Sequence, residues 1–365
     1  MYTEKKGKGE SMRDRLTFLK ITFVLCSLLS GSVLGAAHAQ AHQGSSEWSW
    51  FFSKKFSEHE LQDFNKKDHI SFVLHTPQFS QLILSWNALR PQKGHFRFWV
   101  QAQDSKTKKW YDPHHIIDWG KEIQRSYISV DEKGTGCYHV RLELPKQRRA
   151  DAFRVKIEVH DGAELNLLHS LHVCVSDLAK FKSESASQYT HLKSVAIHNV
   201  PKQSQMVLNH PRANNLCSPT SLSMLLGFLK QTPIDPVSCA EHVYDSGLDS
   251  FGSWPFNVAH AFELCQGTIN FGVTRLSSFS DLHKQLMNNI PVMVSVRGDL
   301  KGAAKPYSDG HLLLVTGFDA KHKRVLCHDP AFEDTEKIAT SYDLESFLHA
   351  WGRSRNLSYV VEPIV

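Results

Sequence analysis

Beyond residue 40 the 365-residue chain has no apolar stretch approaching the roughly 20 residues that a membrane-spanning helix needs. A membrane-spanning helix in that part is therefore not expected. A concentrated basic stripe is also missing. The net charge of +5 is small for this length, and apart from short runs such as 106–109 the lysines and arginines are scattered. Nucleic-acid binding domains normally show the opposite, so no nucleic-acid partner is expected. Zinc-like spacing is absent as well. Cys327 and His328 are adjacent, but neighbours on a strand point to opposite faces, and no second Cys/His pair stands at ligand spacing. Neither a metal nor a cofactor is expected. No internal repeat is present.

What is there is globular: 41% apolar and 22% charged residues, with a length that suits two domains, each large enough for its own core. Near the start, Arg13, Arg15 and Lys20 precede an apolar run over 21–37 and the small-residue pattern Ala37-His38-Ala39. This is the form of a secretory signal peptide cleaved after Ala39; an uncleaved membrane anchor is the alternative. Met12 is a second candidate start, giving a more compact basic region. Cys26 lies outside a lipoprotein-type context and would leave with the leader. The mature chain is then expected in the periplasm or secreted. Six cysteines remain: Cys137, Cys174, Cys217, Cys239, Cys265 and Cys327. Export favours pairing, and Cys137 with Cys174 and Cys239 with Cys265 are candidate bridges, although a nucleophile would have to stay free.

Two periodicities follow one another. After a polar segment over 40–67, Phe96, Phe98, Val100 and Ala102 alternate with Arg97, Trp99 and Gln101, as on a half-buried strand. Tyr138, Val140, Leu142 and Leu144 repeat the pattern, as do Phe153, Val155, Ile157 and Val159, with glycines between them. An all-β sandwich over 68–177 is expected. The Ser-, Lys- and Glu-rich stretch 178–195 reads as a linker. Over 196–365 the pattern predicts an α+β domain: helices at 218–228, 255–264 and 280–289, strands at 292–296, 311–318 and 325–328, a late helix at 343–351 and a last strand at 358–361.

Three residues of the second half carry chemistry. Cys217 stands at the entry to an apolar helix, where free amides and the positive dipole end favour a thiolate. His311 follows Gly310 at the mouth of a buried strand, where a base would be held on rigid backbone. Asp329 ends the next strand. If the two strands are antiparallel neighbours, Asp329 reaches His311 and fixes its ring. Taken singly, each has a plainer explanation: a small buried thiol, a surface histidine, an Asp-Pro turn. Trp254, after a Gly-Ser turn, and Gly310 are candidates to line a substrate cleft. His210, His260, His283, His322, His328 and His349 read as surface or capping residues.

The order Cys, His, Asp, with the Cys on a helix start and the His on a later strand, resembles papain-like peptidases. More closely, the stretch from Val200 to the end resembles family 39 of the cysteine peptidases, related to bacteriocin-leader peptidases. Carrying the resemblance are Cys217-Ser218-Pro219-Thr220-Ser221, Ser204-Gln205-Met206, Gly252-Ser253-Trp254-Pro255-Phe256-Asn257, Ile290-Pro291-Val292, Gly310-His311-Leu312 and Asp329-Pro330-Ala331, in order. The β-rich half, including Ser85-Trp86-Asn87-Ala88, also resembles the domain preceding such peptidases. The resemblance implies a papain-like fold and a triad of Cys217 as nucleophile, His311 as base and Asp329 as orienting acid. It further implies Gln205 as an oxyanion-hole donor. Residues 209–215 lengthen the usual connection from that Gln to the Cys, so Asn214 or Asn215 are alternatives. The expected function is an exported thiol hydrolase acting on peptide or protein substrates. The competing expectations are a papain-fold binding protein without catalysis and a cell-wall- or carbohydrate-binding protein led by its β domain.

Overall fold

The computed structural model describes residues 40–42, 47–64 and 67–363, and these fall in one compact unit. The expected signal sequence lies outside the described residues.

Period-two alternation builds the first half. In the strand His95–Asp104, Phe96, Phe98, Val100 and Ala102 are fully buried, while Arg97, Trp99 and Gln101 are half-exposed, as the pleat requires. This strand is central to a five-stranded antiparallel sheet ordered His69–Phe79, Ala150–His160, His95–Asp104, His114–Gly120, Gln124–Ser126. A seven-stranded sheet contains, side by side, Ser49–Lys55, Leu168–Ser176, Gln81–Ala88, Arg141–Glu143 and Gly136–Tyr138. The two sheets meet where Trp86 stacks on Phe98 with ring centroids 4.3 Å apart and touches Trp119 edge-on at 5.6 Å.

The single strand expected through Tyr138, Val140, Leu142 and Leu144 is corrected. Gly136–Tyr138 and Arg141–Glu143 are two short strands paired with each other, and His139 and Val140 turn between them with φ of 45° and 60°. A two-residue turn preserves the apolar alternation, so the pattern alone does not reveal it.

The second half is α+β. Its antiparallel sheet runs Ile269–Arg275, Leu357–Pro363, Val292–Gly298, Tyr307–Asp319, Arg324–His328, Ala339–Asp343, with Val195–Ala196 paired beside the long strand. The helices Cys217–Lys230, Trp254–Leu264, Phe279–Met287 and Leu344–Arg353 fall where the apolar spacing places them. Pro236–Val243 adds a helix that the apolar pattern does not signal. Asp235 caps it by accepting from the amides of Val237 and Ser238. The stretch 178–195 is tied down: the Phe279 amide donates to Glu184 at 3.1 Å and the Ala186 amide to Glu345 at 2.7 Å.

The strand Ile269–Arg275 is at the edge of its sheet, and side chains of the first half seal its open side. Asn87 accepts from the Phe271 amide and donates to the Phe271 carbonyl, both at 2.9 Å. Ser85 Oγ accepts from the Val273 amide at 3.1 Å, Ser49 Oγ donates to the Arg275 carbonyl at 3.0 Å, and Cys174 Sγ accepts from the Arg275 amide at 3.4 Å. An open edge invites pairing with other chains; here four side chains occupy it. Close approach requires Gly272, where a Cβ would lie 2.7 Å from the Phe51 ring. Every residue of Gln81–Ala88 is consequently buried.

Asn87→Ala would strand both Phe271 backbone groups in a buried interface and is expected to destabilise the protein by about 2–4 kcal/mol. Urea unfolding at unchanged m-value measures this; a loss under about 0.5 kcal/mol would show that the seal is immaterial.

Candidate active site

Cys217 opens the helix Cys217–Lys230, which is buried from Ser218 to Gly227. Small hydroxyl residues allow close packing on both sides. Ser221 Oγ donates to the Leu312 carbonyl at 3.0 Å, and Ser218 Oγ donates to Asn257 Oδ1 at 3.0 Å. Asn257 in turn donates to the carbonyls of Phe251 and Ser253. The Gly252–Asn257 motif thereby ties the next helix to the cysteine. Leu216 caps the helix with no side-chain hydrogen bond, and the nearby backbone of Leu312 and Ser218 favours the charged form of the Cys217 sulfur.

His311 lies on the long strand Tyr307–Asp319, whose neighbour Arg324–His328 is antiparallel, with Leu314 opposite His328. That register carries Asp329, just past the strand end, to the imidazole. His311 Nε2 is 2.8 Å from Asp329 Oδ1, and the imidazole is also close enough to Cys217 for the two to shift each other's protonation. Gly310 has φ of +95°, a left-handed conformation that glycine adopts without strain.

Asp329 is completely buried yet fully partnered. Its Oδ1 also accepts from the Ala331 amide at 3.0 Å, and its Oδ2 accepts from the hydroxyls of Tyr307 at 2.7 Å and Tyr342 at 2.6 Å. The Tyr307 ring stacks on His311 with centroids 4.0 Å apart and planes 16° apart. Neither tyrosine is singled out by the sequence. Tyr307 stands four residues before His311, so it would share its face of an extended strand; Tyr342 arrives on Ala339–Asp343, a strand with no sequence signal.

The electrostatics run in one direction. Burial opposes the Asp329 carboxylate, but the charge and hydrogen bond of His311, the Tyr342 hydroxyl and the Ala331 amide bring it down to about 2. Burial likewise opposes a charged His311, and Asp329, followed by Cys217, raises it to about 10. For Cys217, burial disfavours the thiolate, and the hydrogen bond and charge of His311 with the two amides outweigh it, holding the thiol below its ordinary value. Burial, with the charge of Asp235 added, pushes Cys239 up to about 12; burial outweighs the charge of Lys230 to push Cys265 up to about 11; and burial is the main cause raising Cys137 and Cys327.

All six described cysteines are free, and only Cys217 is not buried. The candidate bridges are therefore corrected. Two strands separate Cys174 from Cys137 in their common sheet, well beyond the roughly 7 Å limit on Cα separation; Cys239 and Cys265 are separate buried thiols. Three histidines expected at the surface are buried instead. His283 bonds the Lys193 carbonyl at 2.7 Å, His328 bonds the Pro201 carbonyl at 2.8 Å, and His260 stacks on His242 at 4.8 Å.

Gln205 is buried against the segment leading to Cys217. Its Nε2 donates to the carbonyls of Ala213 at 3.1 Å and Asn214 at 2.8 Å, and its Oε1 has no hydrogen-bond partner. Turning the amide over would set Oε1 against two carbonyls, so this orientation is fixed. Asn214 and Asn215 are exposed. Trp254 is half-buried beneath Arg141, whose guanidinium lies 5.8 Å from the ring centre. Among the described residues no cluster of His, Cys, Asp and Glu forms a metal site.

The arrangement is a thiol at a helix start, an imidazole beside it and a buried carboxylate fixing the imidazole. Acyl transfer is the chemistry such a set can perform. Residues 197–359 match the model of the Peptidase_C39 like family, which supports a C39-like peptidase domain over that stretch and a hydrolase at the general level. All three residues fall within the match. A comparison with curated proteins finds no match.

Iodoacetamide at roughly pH 6, where ordinary thiols are protonated, is expected to label Cys217 and spare the five buried cysteines. Peptide mapping after brief exposure reads this, with His311→Ala expected to slow labelling by about tenfold or more; sluggish labelling of Cys217 in the unsubstituted protein would contradict the ion pair.

Proposed function

We propose that the chain is an exported cysteine peptidase that cleaves peptide or amide bonds through Cys217, His311 and Asp329. The observation that carries this reading is the half-exposed thiol held below its ordinary pKa by a histidine that a buried carboxylate fixes. Attack of the Cys217 thiolate on the carbonyl carbon forms the C–S bond, and the proton on His311 passes to the leaving amine as the C–N bond breaks. Water, deprotonated by His311, then hydrolyses the thioester and restores the thiol site.

The developing oxyanion needs donors, and the Cys217 amide at the helix start is one. Gln205 supplies a second when the oxyanion replaces one of its carbonyl partners, since a charged acceptor competes well against a neutral one. Asn214 and Asn215 flank the same segment. Trp254 and Gly310 are read as cleft residues. Export and a periplasmic or secreted location rest on the basic residues, apolar run and Ala-His-Ala pattern of the N-terminal sequence. No helix among the described residues is long and apolar enough to cross a membrane. The first half is read as a β-sandwich whose strands include Ser49–Lys55 in addition to the expected 68–177, packed on the second half and joined to it through 178–195.

The second reading, a papain-fold protein that binds without cleaving, draws on the occupied donors of Gln205. A peptide-library cleavage profile separates the two. Cys217→Ala is expected to abolish cleavage and Asp329→Asn to lower kcat on the order of 100-fold or more; identical profiles for wild type and Cys217→Ala would end the peptidase reading. Activity should fall on the acid side as the thiolate gains its proton, and on the alkaline side as His311 loses its own near about 10.

A further inference from the structure

The backbone and the side chain of Gln205 are held by different parts of the chain. Its own amide donates to the Pro330 carbonyl at 2.9 Å, and Ser204 Oγ donates to the Phe332 carbonyl at 2.6 Å. Both contacts are with the segment that follows Asp329. The side-chain Nε2 is instead engaged by Ala213 and Asn214, in the short turn Ala213–Asn215 of the lengthened connection to Cys217. A side-chain amide has two N–H donors, and these two carbonyls take both.

That turn is fastened from outside by the residue before it. Arg212 Nη1 donates to Asp249 Oδ1 and Nη2 to the Asp249 carbonyl, both at 2.6 Å. The guanidinium lies 4.8 Å from the centre of the Phe251 ring, and the Tyr244 hydroxyl donates to the same Asp249 oxygen at 2.6 Å. His210 meets Phe251 edge-on at 5.6 Å and accepts from the Arg212 amide at 3.0 Å. The receiving loop is closed by Asp245 and Ser250, whose backbones exchange hydrogen bonds of 2.8 and 3.2 Å. Asp245 is itself bonded to Ser126 of the first half.

We propose that Arg212 is a positioning residue for the oxyanion hole: its clasp on Asp249 keeps the Ala213 and Asn214 carbonyls on the Gln205 amide and so restrains turnover. This presupposes the reading of Cys217 as nucleophile and Gln205 as oxyanion donor. An oxyanion gains a Gln205 hydrogen only when one carbonyl gives it up, and a carbonyl left without a partner in a buried place is costly. With the clasp closed the turn cannot retreat, so that cost is met in full. With the clasp cut, the turn moves outward and water takes the released carbonyl. Gln205 stays where it is, because Pro330 holds its backbone, and Cys217 stays because Asn257 and Leu312 hold its helix. A half-buried guanidinium donating to two oxygens beside a ring is a stronger tie than an ordinary exposed ion pair. A clasp that merely tidied a loop would leave activity unchanged or lowered when cut; this one raises it.

Steady-state kinetics of the full chain on a peptide taken from its cleavage profile is the first measurement. Arg212→Ala and Asp249→Ala are each expected to raise kcat about threefold with little change in KM, and Arg212→Lys to fall between. The rise should vanish when Gln205→Ala is present as well. The second measurement needs no turnover: in the Cys217→Ala chain, the Gln205 side-chain amide protons, assigned by their loss in Gln205→Glu, should exchange with solvent roughly tenfold faster once Arg212→Ala is added. A kcat unchanged or lowered in both clasp variants, a rise that survives Gln205→Ala, or an unaltered exchange rate would overturn the proposal while leaving the peptidase reading in place. Equal cleavage by wild type and Cys217→Ala would instead overturn that reading, and the clasp proposal with it.

Discussion

The active-site geometry rests on the buried carboxylate of Asp329. A charge fully removed from water costs several kcal/mol unless its lone pairs are satisfied, and here the two oxygens accept from His311, Ala331, Tyr307 and Tyr342. With the anion held in place, the imidazolium beside it is stabilised. The imidazolium then stabilises the Cys217 thiolate. Tyr307 acts twice in this chain of dependence, donating to the carboxylate and stacking its ring on the imidazole. The cysteine helix contributes the position and the Ser218 amide, the strand that carries His311 contributes the Leu312 amide, and the acid sets the charge state.

The first half of the chain reaches the same site through packing. Besides sealing the edge strand, it braces the segment that carries Trp254 and Asn257. Asp245, fully buried, accepts from the Ser126 amide at 2.9 Å and from the Ser126 hydroxyl, and also from Ser253. Gln124 donates to the carbonyls of His242 at 2.9 Å and Tyr244 at 2.8 Å. Through Ser253 and Asn257 these bonds lead to Ser218, the residue after Cys217. The five-stranded sheet makes these bracing contacts through its last strand, Gln124–Ser126.

The parts of this picture legible in the sequence are those set by local chemistry. The apolar spacing after Cys217 marks a helix start, and two successive apolar runs place His311 and Asp329 on neighbouring strands whose facing ends meet. What was not legible depends on partners distant in the chain. Tyr342 comes from a short strand without alternation, and Tyr307 meets His311 across an irregularity where Val296 and Gly298 pair with His311 and Tyr307. The free state of Cys137 and Cys174 follows from strand order, which cysteine spacing does not encode. The buried histidines found carbonyl or ring partners contributed by other elements, and Gln205 found the carbonyls of the lengthened connection it was expected to reach beyond.

The central claim is that Asp329 and Cys217 keep His311 protonated through neutrality. Following the His311 ring carbon and nitrogen resonances by NMR across pH, in the unsubstituted protein and in Cys217→Ser, tests it most directly. The account predicts an imidazolium that persists until pH approaches about 10, with an earlier loss of the proton in Cys217→Ser. Titration of His311 near the ordinary histidine value in both proteins would contradict it.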